Sequence, residues 1–368
     1  MKKNFLFRLS AIAMSLILVA CGGSTSEDVV ENETTAIESE ESLNVVVTTP
    51  MLGEFVKQVA GDSVVLDILM PAEADPHTYD PSPQDAAKIA DADIVLYVGI
   101  KYETSSLLKL IENTASTNAT LLEIGEEIDP IEFIDGERDH GHHDDHDEEG
   151  HDDDKDHDHD DEDGHDDHDD EDGHDDHDEE GHEGHEGHDH GSEDPHFWFD
   201  PVRVAMAVEV IKDSLVSLDP ANSSTYEANA DNFISELTDL DAQVKELIES
   251  VSEDNRKIVT THEALGYLEA RYGIEIFATI IPSLSTADEI SPSQIADVID
   301  VIEDNNIKVL FVESEAPSVY AETVAAEAGI TAVTGLYVET LKDGQTYSDF
   351  LISNVTLIVE SLNSAGEG

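Results

Sequence analysis

Cysteine occurs once in the 368 residues, at Cys21. No disulfide can form within the chain, and no thiolate is available to a metal site in its folded part. Basic side chains are scarce, 17 Lys and Arg against 87 Asp and Glu, for a net charge of −70. That balance excludes nucleic acid and anionic lipid as electrostatic partners and favours cations. Catalytic signatures are missing too. There is no Gly-x-Ser-x-Gly elbow and no phosphate loop. His262-Glu263 lacks a second His four residues on, where Gly266 stands, and the other His-Glu pairs also miss that spacing. Calcium loops are excluded because the Asp-x-Asp-x-Asp-Gly order fails at its first position before both Gly164 and Gly173. No solenoid-like repeat occurs.

The apolar run at 9–20 follows Lys2, Lys3 and Arg8 and is too short to span a bilayer as a mature helix. It closes on Leu18-Val19-Ala20-Cys21, small residues before a cysteine, which resembles a bacterial lipoprotein cleavage site. The expectation is a signal peptide at 1–20 and lipidation at Cys21. An acidic, polar tether then runs over 21–42. The mature protein is expected to be exported and anchored by lipid at the outer face of the bacterial cytoplasmic membrane, or on the periplasmic side.

Histidine is distributed unevenly. Fifteen of the 18 lie in a tract built almost wholly of Asp, Glu, His and Gly. They are His140, His142, His143, His146, His151, His157, His159, His165, His168, His174, His177, His182, His185, His188 and His190. The tract has no aliphatic or aromatic side chain to bury and its carboxylates repel one another, so a disordered insertion is expected over 139–193. Carboxylate neighbours attract divalent cations, and the expectation is many weak, mobile sites that collect or buffer metal. The competing reading is a solvated surface loop without a role.

The rest of the chain alternates strand and helix. Apolar runs at 43–49, 64–70, 94–98 and 120–124 alternate with helical patterns at 51–60 and 84–90. A helix at 202–218 follows the tract. Over 224–251 the apolar residues recur at three- and four-residue spacing, one long amphipathic helix. Strands at 257–261, 275–281, 308–312 and 331–333, with helices at 292–303, 318–328 and 347–362, repeat the alternation. The fold class expected is α/β: two lobes, each a parallel sheet flanked by helices, at 43–222 and 253–368, bridged by one long helix at 223–252.

Outside the tract only His77, His196 and His262 remain. His77 follows the second strand, His262 follows the first strand of the second lobe, and His196 sits in a proline-flanked loop. Carboxyl ends of parallel strands are where open α/β sheets bind ligands. This arrangement puts His77 and His196 on one side of a cleft and His262 on the other. Three neutral imidazoles with a fourth position open describe Zn2+ better than other common divalent ions, while Mn2+ prefers carboxylates in place of some nitrogens.

Three ordered motifs carry a resemblance: Asp75-Pro76-His77-Thr78-Tyr79-Asp80-Pro81, Asp194-Pro195-His196-Phe197-Trp198-Phe199-Asp200-Pro201, and Thr261-His262-Glu263-Ala264-Leu265-Gly266-Tyr267. They resemble the ligand motifs of the metal-binding solute-binding proteins of ABC importers (cluster A-I), and the acidic His-rich insertion resembles the zinc members. The resemblance implies one zinc ion held between two lobes by a monomer and handed to a membrane permease, with no catalysis. Such proteins often carry an Asp ligand after the final strand, where Gly335 stands here. The fourth ligand is left open between water, a carboxylate such as Glu339, and a tract histidine. Three other readings compete: a manganese or iron carrier of the same class, a surface metal store or adhesin, and a zinc enzyme, since three His with an open position is also a catalytic arrangement.

Overall fold

A computed structural model describes residues 42–133, 193–287, 290–315 and 319–366. The leader, Cys21, the tether up to residue 41 and the His/Asp-rich tract up to residue 192, with its expected disorder and its fifteen histidines, lie outside these residues.

The first lobe runs β1 (Leu43–Val47), α1 (Pro50–Ala60), β2 (Val64–Ile68), α2 (Pro83–Ala90), β3 (Ile94–Tyr97), α3 (Ser105–Thr114) and β4 (Thr120–Glu123). All its strand pairs are parallel, in the order β2-β1-β3-β4. After an antiparallel bridge between Glu132 and Glu193, the chain enters α4 (Pro201–Leu218) and the long α5 (Ser223–Glu249). The second lobe follows as β5 (Lys257–Thr260), α6 (Gly266–Tyr272), β6 (Glu275–Thr279), α7 (Pro292–Asp304), β7 (Val309–Glu313), α8 (Val319–Ala328), β8 (Thr331–Leu336) and α9 (Tyr347–Gly366). Its sheet has the equivalent order, β6-β5-β7-β8, again parallel throughout. The expected two-lobed α/β architecture is therefore the one observed.

Several boundaries have a local cause. Thr49-Pro50, Ser82-Pro83, Asp200-Pro201 and Ser291-Pro292 each start a helix the same way: the side chain of the first residue accepts a backbone N–H, and the proline takes the first helical position. Proline has no N–H to lose there, and its fixed φ suits the first turn. α1, α2 and α4 accordingly begin one residue before the apolar pattern suggests. The pattern did not mark α3, which is short and buries only Leu107 and Ile111. β8 runs three residues past its expected end because of a bulge. Val312 pairs with Thr334 and Glu313 with Leu336, leaving Gly335 as the extra residue at φ +101°. Glycine reaches that backbone region without a Cβ clash.

α5 buries Tyr226, Ala230, Phe233, Leu237, Leu240, Val244 and Ile248 along one face. At about 1.5 Å per residue it spans roughly 40 Å, and it packs on α1, α4 and α9. One continuous apolar core results, running from Val45 and Phe55 of the first lobe through α5 to Ile258, Phe311 and Phe350 of the second. Parting the lobes would expose that shared core to water, so the connection is a packed body and not a free hinge.

Leu237 is fully enclosed in this core. Leu237→Ala is expected to cost about 2–5 kcal/mol and to leave a single unfolding transition, monitored by denaturant titration. Two separated transitions, one per lobe, would contradict a shared core.

Candidate metal centre

Two of the histidines are set by the same local device. In each Asp-Pro-His segment, the Asp side chain accepts the backbone N–H of the His two residues on: Asp75 Oδ1 from His77 at 3.0 Å, and Asp194 Oδ1 from His196 at 2.9 Å. This Asx-type turn aims the imidazole before any tertiary contact is made. Asp194 Oδ1 also lies 2.7 Å from His196 Nδ1. The buried turn Phe197–Phe199 follows and locks the loop, with Trp198 Nε1 donating to Val338 O at 2.7 Å.

His262 stands two residues past β5, beside the end of β7, where the strand order reverses direction. Glu313, the last residue of β7, accepts its backbone N–H at 3.1 Å and reaches its Nδ1 at 2.5 Å. With Nδ1 of His196 and of His262 each turned to a carboxylate, the Nε2 atoms face the cleft.

Those Nε2 atoms converge. The ring centroids of His77, His196 and His262 lie 5.4–5.9 Å apart. Glu339, in the turn after β8, sends Oε1 between them, at 3.4 Å from His77 Nε2, 3.5 Å from His196 Nε2 and 2.7 Å from His262 Nε2. One donor atom from each of the four residues lies within 4.8 Å of every other. All four side chains are at most 2% exposed. Yet the three Nε2 atoms and both Glu339 oxygens make no hydrogen bond of acceptable geometry. Their contacts are with one another, three imidazole nitrogens around a single carboxylate oxygen, and buried polar atoms that make so few well-formed hydrogen bonds are the arrangement a cation would complete. A tetrahedral ion bonded at about 2.0–2.1 Å needs donor atoms about 3.3 Å apart. Two of the three His–Glu339 distances already match, and His262 and Glu339 need only open slightly.

Charge points the same way. Burial opposes protonation of His196, but Glu339 and the hydrogen bond to Asp194 outweigh it and lift the ring to about 9. His262 rises well above the imidazole range for the same kind of reason, with Glu313 and Glu339 overcoming burial. Glu339 moves the other way: burial favours its neutral form, but the facing His196 and His77 hold it well below the carboxylate range. Without an ion the pocket neutralises its carboxylate with protons.

The structure thus brings together the three histidines singled out in the sequence and adds Glu339, one of the alternatives left open for the fourth position. The carboxylate does not come from position 335, because that position is the bulge inside β8 and the turn facing the cleft starts after Leu336. Sequence reasoning passed over Glu313, which is 51 residues from His262 and carries no local signal. It also passed over the role of Asp75 and Asp194, although the repeated Asp-Pro-His was the available clue.

Residues 45–361 match the family model described as zinc-uptake complex component A, periplasmic (ZnuA). The chain belongs to this family. Its members are metal-binding, solute-binding components of ABC transporters and not enzymes. The chain is 24% identical to the manganese-binding lipoprotein MntA of Halalkalibacterium halodurans, over 98% of this chain and 99% of that one. It is 31% identical to the zinc-binding lipoprotein AdcA of Streptococcus pneumoniae, over its whole length but only 62% of AdcA. The fold matches that of the periplasmic zinc-binding protein TroA of Treponema pallidum, with a TM-score of 0.66 and 21% identity over 86% of this chain and 98% of that one.

An ion that bonds His196 Nε2 would displace the proton that the ring holds below about 9. Calorimetry at pH 7 in buffers of different ionisation enthalpy is expected to show release of about one proton or more per ion, and affinity should rise with pH up to about 9. Without metal the sign reverses. A ring whose folded value is raised stabilises the fold fully below its ordinary value of about 6.5, and that contribution fades as pH climbs through about 9. Binding with no proton release would contradict this account.

Proposed function

We propose that His77, His196, His262 and Glu339 bind a single zinc ion as cargo, and that the chain delivers it to the membrane permease of an ABC importer. The observation that carries the proposal is the set of four buried donor atoms, one from each residue, that lie within 4.8 Å of one another and make no well-formed hydrogen bond. Three imidazole nitrogens and one carboxylate make a four-coordinate set of the kind zinc favours. Manganese is the competing cargo. It favours oxygen-rich, six-coordinate surroundings, and only Glu339 supplies oxygen among these four residues. Relatives bear names for either metal, so the argument for zinc is the donor set itself.

The protein works outside the cytoplasm, anchored by lipid at the outer face of the cytoplasmic membrane, with Cys21 as the proposed attachment point. The lobes at 43–222 and 253–368, joined by 223–252, act as a monomer around one ion. The tract histidines from His140 to His190 serve as weak auxiliary sites that raise the local metal concentration. They are ligands in excess of the cleft, so their removal should leave one tight site.

Trp198 is the sole tryptophan and its ring lies 5.5 Å from that of His196, which makes its fluorescence a reporter of cleft occupancy. In protein lacking 139–190, zinc should bind one to one and outcompete manganese at equal free concentration. Replacing His77, His196 or His262 by Ala in that protein should weaken zinc about tenfold or more, by loss of one ligand, and the full chain with all three replaced should keep only the weak binding of the tract. Tight one-to-one zinc binding by the triple Ala variant would overturn the assignment. Preference for manganese would overturn the cargo.

A further inference from the structure

The reach of Glu339 into the cleft depends on a turn that has no regular structure of its own. Residues 338–340 follow β8, and the polar backbone groups of this turn are spoken for from two sides. From the first lobe, Trp198 Nε1 donates to Val338 O at 2.7 Å and Tyr102 Oη donates to Glu339 O at 2.9 Å. From the second lobe, one atom takes all three amides. Glu315 Oε1 accepts from the backbone N–H of Val338 at 3.1 Å, of Glu339 at 3.1 Å and of Thr340 at 3.3 Å. Three successive amides turned toward one oxygen form an anion-binding concavity, and here a side chain of the same chain fills it.

Glu315 stands two residues beyond Glu313, so the end of β7 and its extension carry a buried and a partly buried carboxyl group with parallel tasks. Glu313 orients the ring of His262, and Glu315 holds the backbone that carries Glu339. We infer that Glu315 is the positioning residue for the fourth ligand: by gathering the amides of 338–340 it sets where the Glu339 carboxylate stands, and so sets zinc affinity without touching the ion. This rests on the cleft assignment proposed above. The task requires an acceptor oxygen at full side-chain reach and not a negative charge. Glu315 Oε2 is buried and makes no hydrogen bond, so exchanging it for an amide nitrogen removes no contact.

Two conservative changes separate reach from the carboxyl group itself. Burial and the facing Glu339 push the Glu315 carboxyl up to about 8; Glu315→Gln keeps the acceptor at the same reach without an ionisable group, and Glu315→Asp keeps a carboxyl group and withdraws the acceptor by one methylene. Zinc affinity is measured by Trp198 fluorescence in protein lacking 139–190, in the native background and with Glu339→Ala, and thermal unfolding without metal checks that each variant folds. Glu315→Gln should stay within about threefold of the parent, a shift under 1 kcal/mol. Glu315→Asp should weaken zinc about tenfold but have no further effect once Glu339 is Ala, because the ligand it positions is gone. Three results overturn the inference: a loss in Gln with none in Asp, an equal loss from Asp in both backgrounds, or no loss from either. Unchanged zinc affinity in Glu339→Ala alone would instead overturn the cleft assignment, and the positioning role with it.

Discussion

The structure depends on one unfavourable circumstance: three buried imidazole nitrogens are brought face to face around a single carboxylate, with little else to bond. His77, His196, His262 and Glu339 come from four separate segments, and each is held from behind. Asp75 and Asp194 hold two by their backbone, Glu313 holds a third by backbone and ring, and Glu315 holds the turn of the fourth. The supports take up the backs of the residues, so the tips meet only one another. A cation would repair the deficit, and without one protons do so in part, which is why His196 and His262 rise and Glu339 falls relative to their ordinary values.

Such a pocket needs a frame that will not relax around it. The two sheets share a strand order, and the second places His262 and Glu313 where that order reverses. α5 then binds the lobes through a common apolar core instead of leaving them on a hinge. Contacts across the cleft reinforce this: Tyr102 and Trp198 grip the carbonyls of the Glu339 turn, and Tyr347 Oη donates to Trp198 O at 2.8 Å. Thr286 Oγ1 donates to Asp75 at 2.7 Å, so a loop of the second lobe touches the residue that sets His77. Loading or release therefore has to disturb named hydrogen bonds near the ion.

Much of this was legible in the residues. Apolar runs and three-to-four-residue spacing marked both lobes and α5, and the uneven distribution of histidine singled out His77, His196 and His262 from a tract of fifteen others. What escaped was of two kinds. Features fixed by one atom, such as the proline at the first helical position or the bulge at Gly335, shift a boundary without changing the hydrophobic pattern. Partners far apart in the chain, such as His262 with Glu313 or Glu315 with residues 338–340, leave no spacing to read, because only the sheet brings them together. Position 335, where such proteins often carry an Asp, shows both effects: Gly335 is taken by the bulge, and Glu339 is presented by the turn beyond it.

X-ray absorption at the zinc edge of zinc-loaded protein lacking 139–190 tests the central claim most directly. Three imidazole nitrogens and a carboxylate oxygen at about 2.0–2.2 Å are the result this account predicts. A coordination shell with fewer than three imidazoles, or one made of oxygen alone, would contradict it.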